Sequence, residues 1–333
     1  MYLQNHYYYK STPRKHPSIV SASPSNAEDS TCWSACFRDQ LFRLCLVLLL
    51  ILVFYNEFLV YRIHYYLTWP KVQCGDTKDF HRVLFVADPQ ILGERTESWI
   101  ARWDSDRFLA HSFQLAVMHV EPTLIVFLGD LMDEGSIASP EEYARYYKRF
   151  SQIYKLDSFS PNTTIFIPGD NDIGGEDEEI TSFKVKRYYN HFHQAESLDY
   201  DNIRFIKVNK LLKTYPIMTE SDNKLLVRVV LSHVPLFAAA SYFSGQVVTA
   251  VRPHFVFSAH DHKSVHFVGK SDTGERTLVE ELMSNRFAEG SPTWRFQISD
   301  SLINEIVVPT CSYRMGVVDI GFGVGLLGNY LVQ

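Results

Sequence analysis

The amino-acid sequence predicts an α/β domain whose first half alternates strands with helices and whose second half is a sandwich of sheets flanked by helices. From residue 80 onward, short apolar runs alternate with longer amphipathic ones, which is typical of strands alternating with helices. After about residue 200 the apolar runs follow one another closely, which indicates successive strands. An uncharged apolar run at residues 44–55 predicts a membrane helix before this domain.

Composition restricts the classes of function. The chain has 333 residues, of which 46% are hydrophobic and 21% charged, a balance typical of a globular protein. Its formal net charge is −6 and it has no extended basic stretch. Nucleic acid is therefore not expected as a partner, because binding to a phosphate backbone depends on clustered lysine and arginine.

The N-terminal region is predicted to comprise a disordered polar tail at residues 1–40 and a transmembrane anchor at residues 41–63. Asn56 and Glu57 interrupt the apolar run near its end, where a long polar side chain reaches the headgroups. A cleaved signal peptide is disfavoured by the length of the preceding tail. A buried core helix is disfavoured by the aromatic residues at 61–69, which are typical of a membrane interface.

The hydrophobic pattern then predicts each element in order. Helices are predicted at residues 103–120, 141–154 and 178–192, with Pro140 suited to a first helical turn. Strands are predicted at residues 83–87, 123–128, 164–167, 203–208, 225–231, 254–258 and 265–268. The catalytic domain is predicted at residues 80–316. The apolar segment at 317–333 would be either a strand-like finish or a short second membrane segment, and its glycines favour the first.

Five of the predicted strands end in side chains that bind metals. The motifs are Asp88-Pro89-Gln90, Gly129-Asp130, Gly169-Asp170, Ser232-His233 and His260-Asp261-His262. Ligands in open α/β sheets gather at the carboxyl ends of the strands, so we expect these side chains at one edge. A lone Gly-Asp is usually a turn and a lone histidine usually lies at the surface or in the core. Five such motifs in order instead predict a two-metal site, since carboxylates and imidazoles suit manganese, iron and zinc.

These motifs resemble those of the calcineurin-like metallophosphoesterase superfamily, whose order is D-x-H, G-D-x-x-D-x-G, G-N-H-D, a single histidine and G-H-x-H. The resemblance covers about residues 80–270. It implies a metallophosphoesterase-type β-sandwich flanked by helices and two divalent metal ions per chain, with manganese favoured.

The resemblance also implies a ligand set. Asp88, Asp130 and His262 would hold the first ion, with Gln90 at the position of a family histidine. Asp130 would bridge to a second ion, whose other ligands would be Asp170, His233 and His260. Asp133 is expected to orient neighbouring groups rather than to bind metal.

The sequence departs from the family pattern at Gln90, Asp170 and Asn171. Gln90 replaces a histidine and is expected to be a weaker ligand, whereas Asp170 replaces an asparagine and adds negative charge. Asn171 stands where the family has a histidine thought to protonate the leaving group, and asparagine cannot act as a general acid. Three consequences stay open: the metals suffice alone, another residue supplies the proton, or the protein is slow or inactive.

A finer resemblance is to the membrane-bound metallophosphoesterase 1 group. It rests on residues 88–93, on residues 129–135, on residues 172–174 and on Ser312-Tyr313-Arg314-Met315-Gly316. It implies a phosphodiesterase that removes ethanolamine phosphate from the second mannose of the GPI-anchor glycan. GPI-anchored proteins would be its substrates, and its action would promote their export from the endoplasmic reticulum. The alternatives are a phosphatase for another luminal phosphoester and an inactive relative that acts as a cargo receptor or adaptor.

Two further features bear on the compartment. The sequon at Asn162 is an acceptor for an N-glycan, which favours a luminal catalytic domain in the early secretory pathway, from the endoplasmic reticulum and its exit sites to the cis-Golgi. Cys32 and Cys36 precede the apolar run and are either palmitoylation sites or free thiols. A disulfide between Cys74 and Cys311 would require an oxidising lumen.

Overall fold

The computed structural model describes residues 27–69, 80–218, 226–239, 241–282 and 294–328. The chain divides into two compact units, residues 1–62 and 63–333. The first 26 residues of the predicted tail lie outside the described residues, as does Cys74. The predicted palmitoylation of Cys32 and Cys36 falls on side chains that also lie outside the described part.

A long helical segment forms the described N-terminal part of the chain. It consists of helix α1 (Ala27–Phe54), a π-helical turn (Tyr55–Leu59) and helix α2 (Val60–Thr68). Residues 27–40 are therefore helical rather than part of a disordered tail, and no proline or glycine interrupts this stretch. Among the described residues, Phe37–Leu67 is the one helix long and apolar enough to cross a membrane.

The second unit contains the remaining elements. Its helices are α3 (Trp99–Val120), α4 (Pro140–Ile153), α5 (Asp170–Ile173), α6 (Ser182–His191) and α7 (Tyr242–Val251). Its strands are β1 (Phe80–Val86), β2 (Leu124–Phe127), β3 (Thr164–Phe166), β4 (Ser197–Tyr200), β5 (Ile203–Lys207), β6 (Val227–Leu231), β7 (Phe255–Ser258), β8 (Val265–Lys270), β9 (Arg276–Glu281), β10 (Leu302–Val307) and β11 (Gly323–Gly328).

Capping residues set where the predicted helices begin. Ser139 forms a capping box with Glu142 at the start of α4, where Pro140 occupies the first turn as predicted. Ser98 caps α3, which begins four residues earlier than predicted. Thr181 caps α6, so the acidic residues at 176–179 lie in the preceding loop rather than in the helix.

The described strands form two sheets. One has the order β11-β1-β2-β3 and the other the order β4-β5-β6-β7-β10-β8-β9. Strands β1, β2 and β3 are parallel, as are β5, β6, β7 and β10. The facing sides of the two sheets share one apolar core, in which Phe85 stacks on Phe257 with ring centroids 4.1 Å apart. This arrangement confirms the predicted sandwich.

Helices cover both outer faces of the sandwich. Residues of α3, α4 and α6 pack with the outward side chains of β1 and β2, among them Leu84 and Phe127. Helix α7 packs through Val247 and Val248 against outward side chains of β6, β7 and β10. The four layers bury one face of every helix that covers the sheets, which is what an α/β domain requires.

The C-terminal segment belongs to the first sheet. Strand β11 pairs antiparallel with β1, Gly325 lying opposite Val83. The domain therefore extends past residue 316, and the structure has the strand-like alternative rather than a second membrane helix in this part. A Cβ at Gly323 would lie 3.1 Å from the Cβ of Phe85, so glycine permits the close approach of β11 to β1.

Candidate metal centre

The predicted site residues follow the carboxyl ends of parallel strands and share an unusual backbone. Five of them have positive φ angles: Asp88 (46°), Gln90 (39°), Asp130 (50°), His260 (71°) and His262 (60°). Residues with a side chain rarely adopt this left-handed conformation, which costs on the order of 1–3 kcal/mol each. Such strain persists where surrounding contacts fix the chain, and it is concentrated at functional sites.

Two groups of potential metal ligands form at this edge. The first joins Asp88, Asp130 and His233, and the second joins Asp170, His233 and His260. Within each group the ligand atoms all lie within 4.8 Å of one another. His233 belongs to both groups, so the two groups interlock into one cluster. The cluster is buried except at His260, which is partly exposed.

His233 is held in one tautomer. Its Nδ1 donates to the carbonyl oxygen of Leu128 at 2.8 Å, so its Nε2 faces the carboxylates. Nε2 lies 3.0 Å from Asp170 Oδ1 and 3.4 Å from Asp130 Oδ1. A backbone carbonyl that fixes one ring nitrogen and leaves the other free is a common arrangement for a metal-binding histidine.

Asp130 is held by donors on both of its oxygens. The backbone N–H of Asn171 donates to Oδ1 at 3.0 Å. The side-chain amides of Gln90 and Asn171 donate to Oδ2, at 3.0 and 3.1 Å. These bonds fix the carboxylate between the Asp88 side and the Asp170 side of the cluster.

Two glycines allow the strand ends to approach this closely. A Cβ at Gly129, where φ is +98°, would lie 2.4 Å from His233 Nδ1. A Cβ at Gly169 would lie 2.1 Å from Asp130 Oδ1. Any larger residue at either position would displace a member of the cluster, which explains why Asp130 and Asp170 are each preceded by glycine.

The cluster concentrates negative charge away from water. Burial raises the pKa of Asp88 to about 8, and the neighbouring charge of Asp130 adds to the increase. Burial likewise raises the pKa of Asp130. Burial alone would lower the pKa of His233, but Asp130, Asp170 and Asp88 outweigh it and raise the value to about 10. The three aspartates therefore favour a positive charge at this position.

Asp170 differs from the other two aspartates. Burial would raise its pKa, but hydrogen bonds from His233 and His260 outweigh burial and hold the pKa well below its usual range. His260 Nδ1 lies 3.0 Å from Asp170 Oδ1, and the same carboxylate raises the pKa of His260. Oδ1 of Asp170 thus faces a nitrogen of each histidine in this second group.

The residues present fit divalent cations. Asp88 is fully buried, and within the described residues its Oδ2 accepts no hydrogen bond. A buried carboxylate oxygen without a partner is costly unless a cation balances it. The donors are carboxylate oxygens and imidazole nitrogens, the set that manganese, iron and zinc share.

The structure brings together most, but not all, of the predicted ligands. The second group is the predicted second set, whereas the first group contains His233 in place of His262. The amide nitrogen of Gln90 lies 3.3 Å from His262 Nε2 and 3.0 Å from Asp130 Oδ2, so this amide separates His262 from the carboxylates. Gln90 was predicted to be a weak metal ligand. In the structure its side-chain nitrogen instead donates a hydrogen bond to Asp130.

The other predicted residues lie outside the two groups. Asn171 lies beside the cluster as a hydrogen-bond donor to Asp130. Asp133 is near it, and burial together with Glu134 raises the pKa of Asp133 to about 6. Asn162 is exposed in a 3₁₀ turn before β3, so its side chain is accessible to a glycan. Cys311 is buried in the core beneath α3 and α4 and has no disulfide partner among the described residues.

Two acidic residues outside the predicted ligand set also shape the site. Asp172 is fully buried and accepts from the backbone N–H groups of Leu131, Met132 and Gly169. It therefore ties the loop that carries Asp130 to the loop that carries Asp170. Glu176 is exposed and hydrogen-bonds Asp170, whose charge raises the pKa of Glu176. Its position just after Asp170-Asn171-Asp172 was the available sequence signal.

Several curated proteins are similar in sequence to this chain. Metallophosphoesterase 1 of Cricetulus griseus is 26% identical over 178 residues, 52% of this chain and 45% of the relative. Its counterpart from Gallus gallus is 28% identical over 190 residues, 51% of this chain and 46% of the relative. Cell division control protein 1 of Saccharomyces cerevisiae is 25% identical over 278 residues, 75% of this chain and 55% of the relative. The chain thus spans about half the length of the curated relatives it matches.

Solved structures also match, at low sequence identity. "GAP50 the anchor in the inner membrane complex of Plasmodium" aligns with a TM-score of 0.40 and 14% identity, over 76% of this chain and 82% of that one. The phosphoesterase YfcE from E. coli aligns with a TM-score of 0.31 and 12% identity, over 73% of this chain and 87% of that one.

A protein-family model identifies the family of this chain. The model of the calcineurin-like phosphoesterases matches residues 81–264, which is more than half of the 333 residues. The matched range contains every member of both ligand groups. The chain therefore belongs to the calcineurin-like phosphoesterase family.

Proposed function

We propose that this chain is a membrane-anchored, metal-dependent phosphoester hydrolase. The observation that carries the proposal is the buried cluster of Asp88, Asp130, Asp170, His233 and His260, with one oxygen of Asp88 lacking a partner among the described residues. Asp88 and Asp130 would hold one divalent ion, and Asp170 and His260 a second. His233 belongs to both groups, but Leu128 engages its Nδ1, so its Nε2 would complete one of the two ion sites and not both. Gln90 and His262 stand at the side of the first group.

Each protein group has a separate part in the reaction. When bound, divalent ions polarise the phosphoryl oxygens and lower the pKa of water. Leu128 and Asp170 orient the ring of His233, and the amides of Gln90 and Asn171 orient Asp130. Asn171 carries no proton that it can donate to a leaving group. This residue therefore positions a carboxylate and leaves protonation of the leaving group to water or to another side chain.

We propose in addition that the substrate is the ethanolamine phosphate on the second mannose of the GPI-anchor glycan. The resemblance to the metallophosphoesterase 1 group, to which several of the similar proteins belong by name, supports this together with the 312–316 motif and the candidate membrane helix. Exposed acidic residues at 176–179 adjoin Asp170 through Glu176 and offer carboxylates to the ammonium group of ethanolamine. The catalytic domain would face the lumen of the early secretory pathway, where the reaction would promote export of GPI-anchored proteins.

Substrate profiling tests both levels of the proposal. The full chain, purified in detergent with added Mn²⁺, would be assayed on bis(p-nitrophenyl) phosphate, on p-nitrophenyl phosphate and on a GPI glycan carrying ethanolamine phosphate. We expect turnover of the diester and loss of ethanolamine phosphate, detected by mass spectrometry, with Asp170→Asn as the inactive control. Hydrolysis of the simple esters with an untouched glycan would favour a phosphatase or phosphodiesterase for another luminal ester.

One observation favours a second candidate, an inactive relative that acts as a cargo receptor or adaptor. Asn171 occupies the position of the family's general acid, and its amide is engaged by Asp130. The retained ligand cluster argues against this reading, since buried carboxylates without a cation destabilise a fold. Binding of GPI-anchored cargo by the metal-loaded chain without any turnover would establish the second candidate.

A further inference from the structure

Strand β10, which follows the range matched by the family model, brings the end of one more strand to the edge of the sheet that carries the site. Strand β10 pairs in parallel with β7, Val307 lying opposite Ser258. Its carboxyl end therefore points to the same edge as His260, which follows β7. The family model ends at residue 264, so the contribution of this strand lies outside the matched range.

The side chain that follows β10 at this edge is Thr310, which is fully buried. Its hydroxyl donates to the carbonyl oxygen of Asp88 at 2.9 Å and accepts from the N–H of Ser312 at 3.1 Å. Its backbone N–H donates to the carbonyl oxygen of His262 at 3.4 Å. Thr310 also pairs with Ala87 in an isolated parallel bridge. One residue thus contacts the two loops that carry Asp88 and His262.

These two loops need such a contact. Asp88 and His262 both have positive φ angles, 46° and 60°, so neither conformation is one that the isolated chain favours. The carboxylate of Asp88 moves with its backbone, and one of its oxygens accepts from the N–H of His260 at 3.3 Å. If the Asp88 carbonyl lost its hydroxyl partner, relaxation of the strained backbone would carry the carboxylate away from Asp130 and His233.

We propose that Thr310 is a positioning residue for the ion held on the Asp88 side of the cluster. This inference rests on the proposed metal site. It assigns a part in binding metal to the segment that follows β10, because Thr310 donates hydrogen bonds to the backbone carbonyl oxygens of Asp88 and His262. Removing a side chain that hydrogen-bonds to a metal-binding residue typically lowers metal affinity by about 10–100-fold.

The test measures Mn²⁺ binding to the full chain in detergent. Calorimetry gives the affinity and the number of ions bound, and electron paramagnetic resonance shows whether the bound ions are coupled. Thr310→Val removes the hydroxyl at nearly constant volume, and Thr310→Ser keeps it. Thr123→Val is the matched control, because Thr123 donates its hydroxyl to the carbonyl of Arg82 at the opposite end of β1. Thr310→Ala serves as a second hydroxyl-free variant if the valine variant does not fold.

We expect Thr310→Val to weaken the binding of one ion by about 10-fold or more and to leave the other ion bound. The spectrum should change from that of a coupled Mn²⁺ pair to that of an isolated Mn²⁺ ion. Thr310→Ser should restore both properties, and Thr123→Val should resemble the wild type.

The outcomes separate this inference from the proposed function. Two ions bound by Thr310→Val with wild-type affinities would overturn the role of Thr310 and leave the metal site standing. An equal loss in Thr123→Val would also overturn it, because the effect would then belong to strand β1 as a whole. A wild-type chain that binds no Mn²⁺ would overturn both the metal site and the proposed role of Thr310.

Discussion

The carboxylate of Asp130 receives three hydrogen bonds, and both side-chain amides among the donors replace family histidines. Gln90 and Asn171 donate to the same oxygen, Oδ2. The sequence identified both residues as departures, because each stands inside a recognisable motif. It could not show where the amides point, since that depends on the contact between the loops after β1, β2 and β3.

Asn171→His should restore a general acid. We expect kcat to rise by 10-fold or more for substrates with a poor leaving group, because general acid catalysis is typically worth about 10²–10⁴-fold. p-Nitrophenyl esters should show little gain, since their leaving group departs without a proton. Asn171→Ala separates the added imidazole from the lost amide. An equal gain on both classes of substrate would contradict this role.

Lys207 on β5 is expected to make the folding stability depend on pH independently of the metal site. Burial lowers its pKa from 10.5 to about 8, and its Nζ donates to Gln194 at 2.8 Å. Between these two pH values the unfolded chain binds the proton and the folded chain does not, so folding stability should rise with pH. Relative to Lys207→Met, the wild type should gain on the order of 2 kcal/mol across this window.

Urea unfolding of both proteins at pH 8 and pH 10.5 measures this difference. Lys148→Met removes an exposed lysine from α4 and controls for the loss of one positive charge. If the free energy of unfolding of the wild type, relative to that of Lys207→Met, fell as the pH rose, the lowered pKa of Lys207 would be contradicted.

At the scale of elements, strands with apolar runs could be predicted, and strands that contain acidic residues or several glycines could not. Strands β1, β2, β3, β5, β6, β7 and β8 were predicted because apolar residues make up most of the buried positions in each. Strand β10 was missed because its sequence, residues 302–307, includes Asn304 and the buried Glu305. Strand β11 was predicted as a strand-like finish with a membrane segment as the alternative, and its pairing with β1 could not be predicted because its glycines, which permit close packing against Phe85, weaken the strand pattern.

Glu305 shows why β10 carries a buried charge. Its two oxygens accept from the N–H groups of Leu236 and Phe237, both at 2.7 Å, in the loop that follows His233. Glu305→Gln replaces one acceptor with a donor and leaves a backbone N–H without a partner. We expect the metal-free chain to lose about 1–3 kcal/mol of stability in urea unfolding.

Glu281→Gln changes an exposed glutamate of β9 and is the matched control. Since the loop after His233 would be loosened, Mn²⁺ affinity should fall in Glu305→Gln as well. Stability at or above that of the wild type would show that the two backbone contacts are dispensable.

At the scale of the whole molecule, the sequence predicted a membrane anchor followed by a sandwich domain, and the described residues contain both a candidate membrane helix and the sandwich. The start of the helix could not be predicted, because residues 27–40 are polar and lack helix breakers. Orientation is equally hard to predict. Arg38 and Arg43 precede the apolar run and Arg62 follows it, so positive charge hardly distinguishes the two sides.

Glycosylation tests the proposed orientation. Asn162 is exposed, so in a luminal domain we expect an endoglycosidase-sensitive glycan that Asn162→Gln abolishes. In sealed microsomes the catalytic domain should resist added protease until detergent is present. Digestion of the domain in intact microsomes would place it on the cytosolic side and would contradict a luminal site of action.

The central claim is that the buried cluster is a two-ion site, and elemental analysis of the purified full chain tests it most directly. We expect two divalent ions per chain in the wild type after Mn²⁺ supplementation. Asp130→Asn should hold fewer, because its carboxylate lies between the two groups, and its metal-free form should still fold because a buried charge is removed. Unchanged stoichiometry in Asp130→Asn would contradict the bridging position, and a wild type without metal would contradict the site itself.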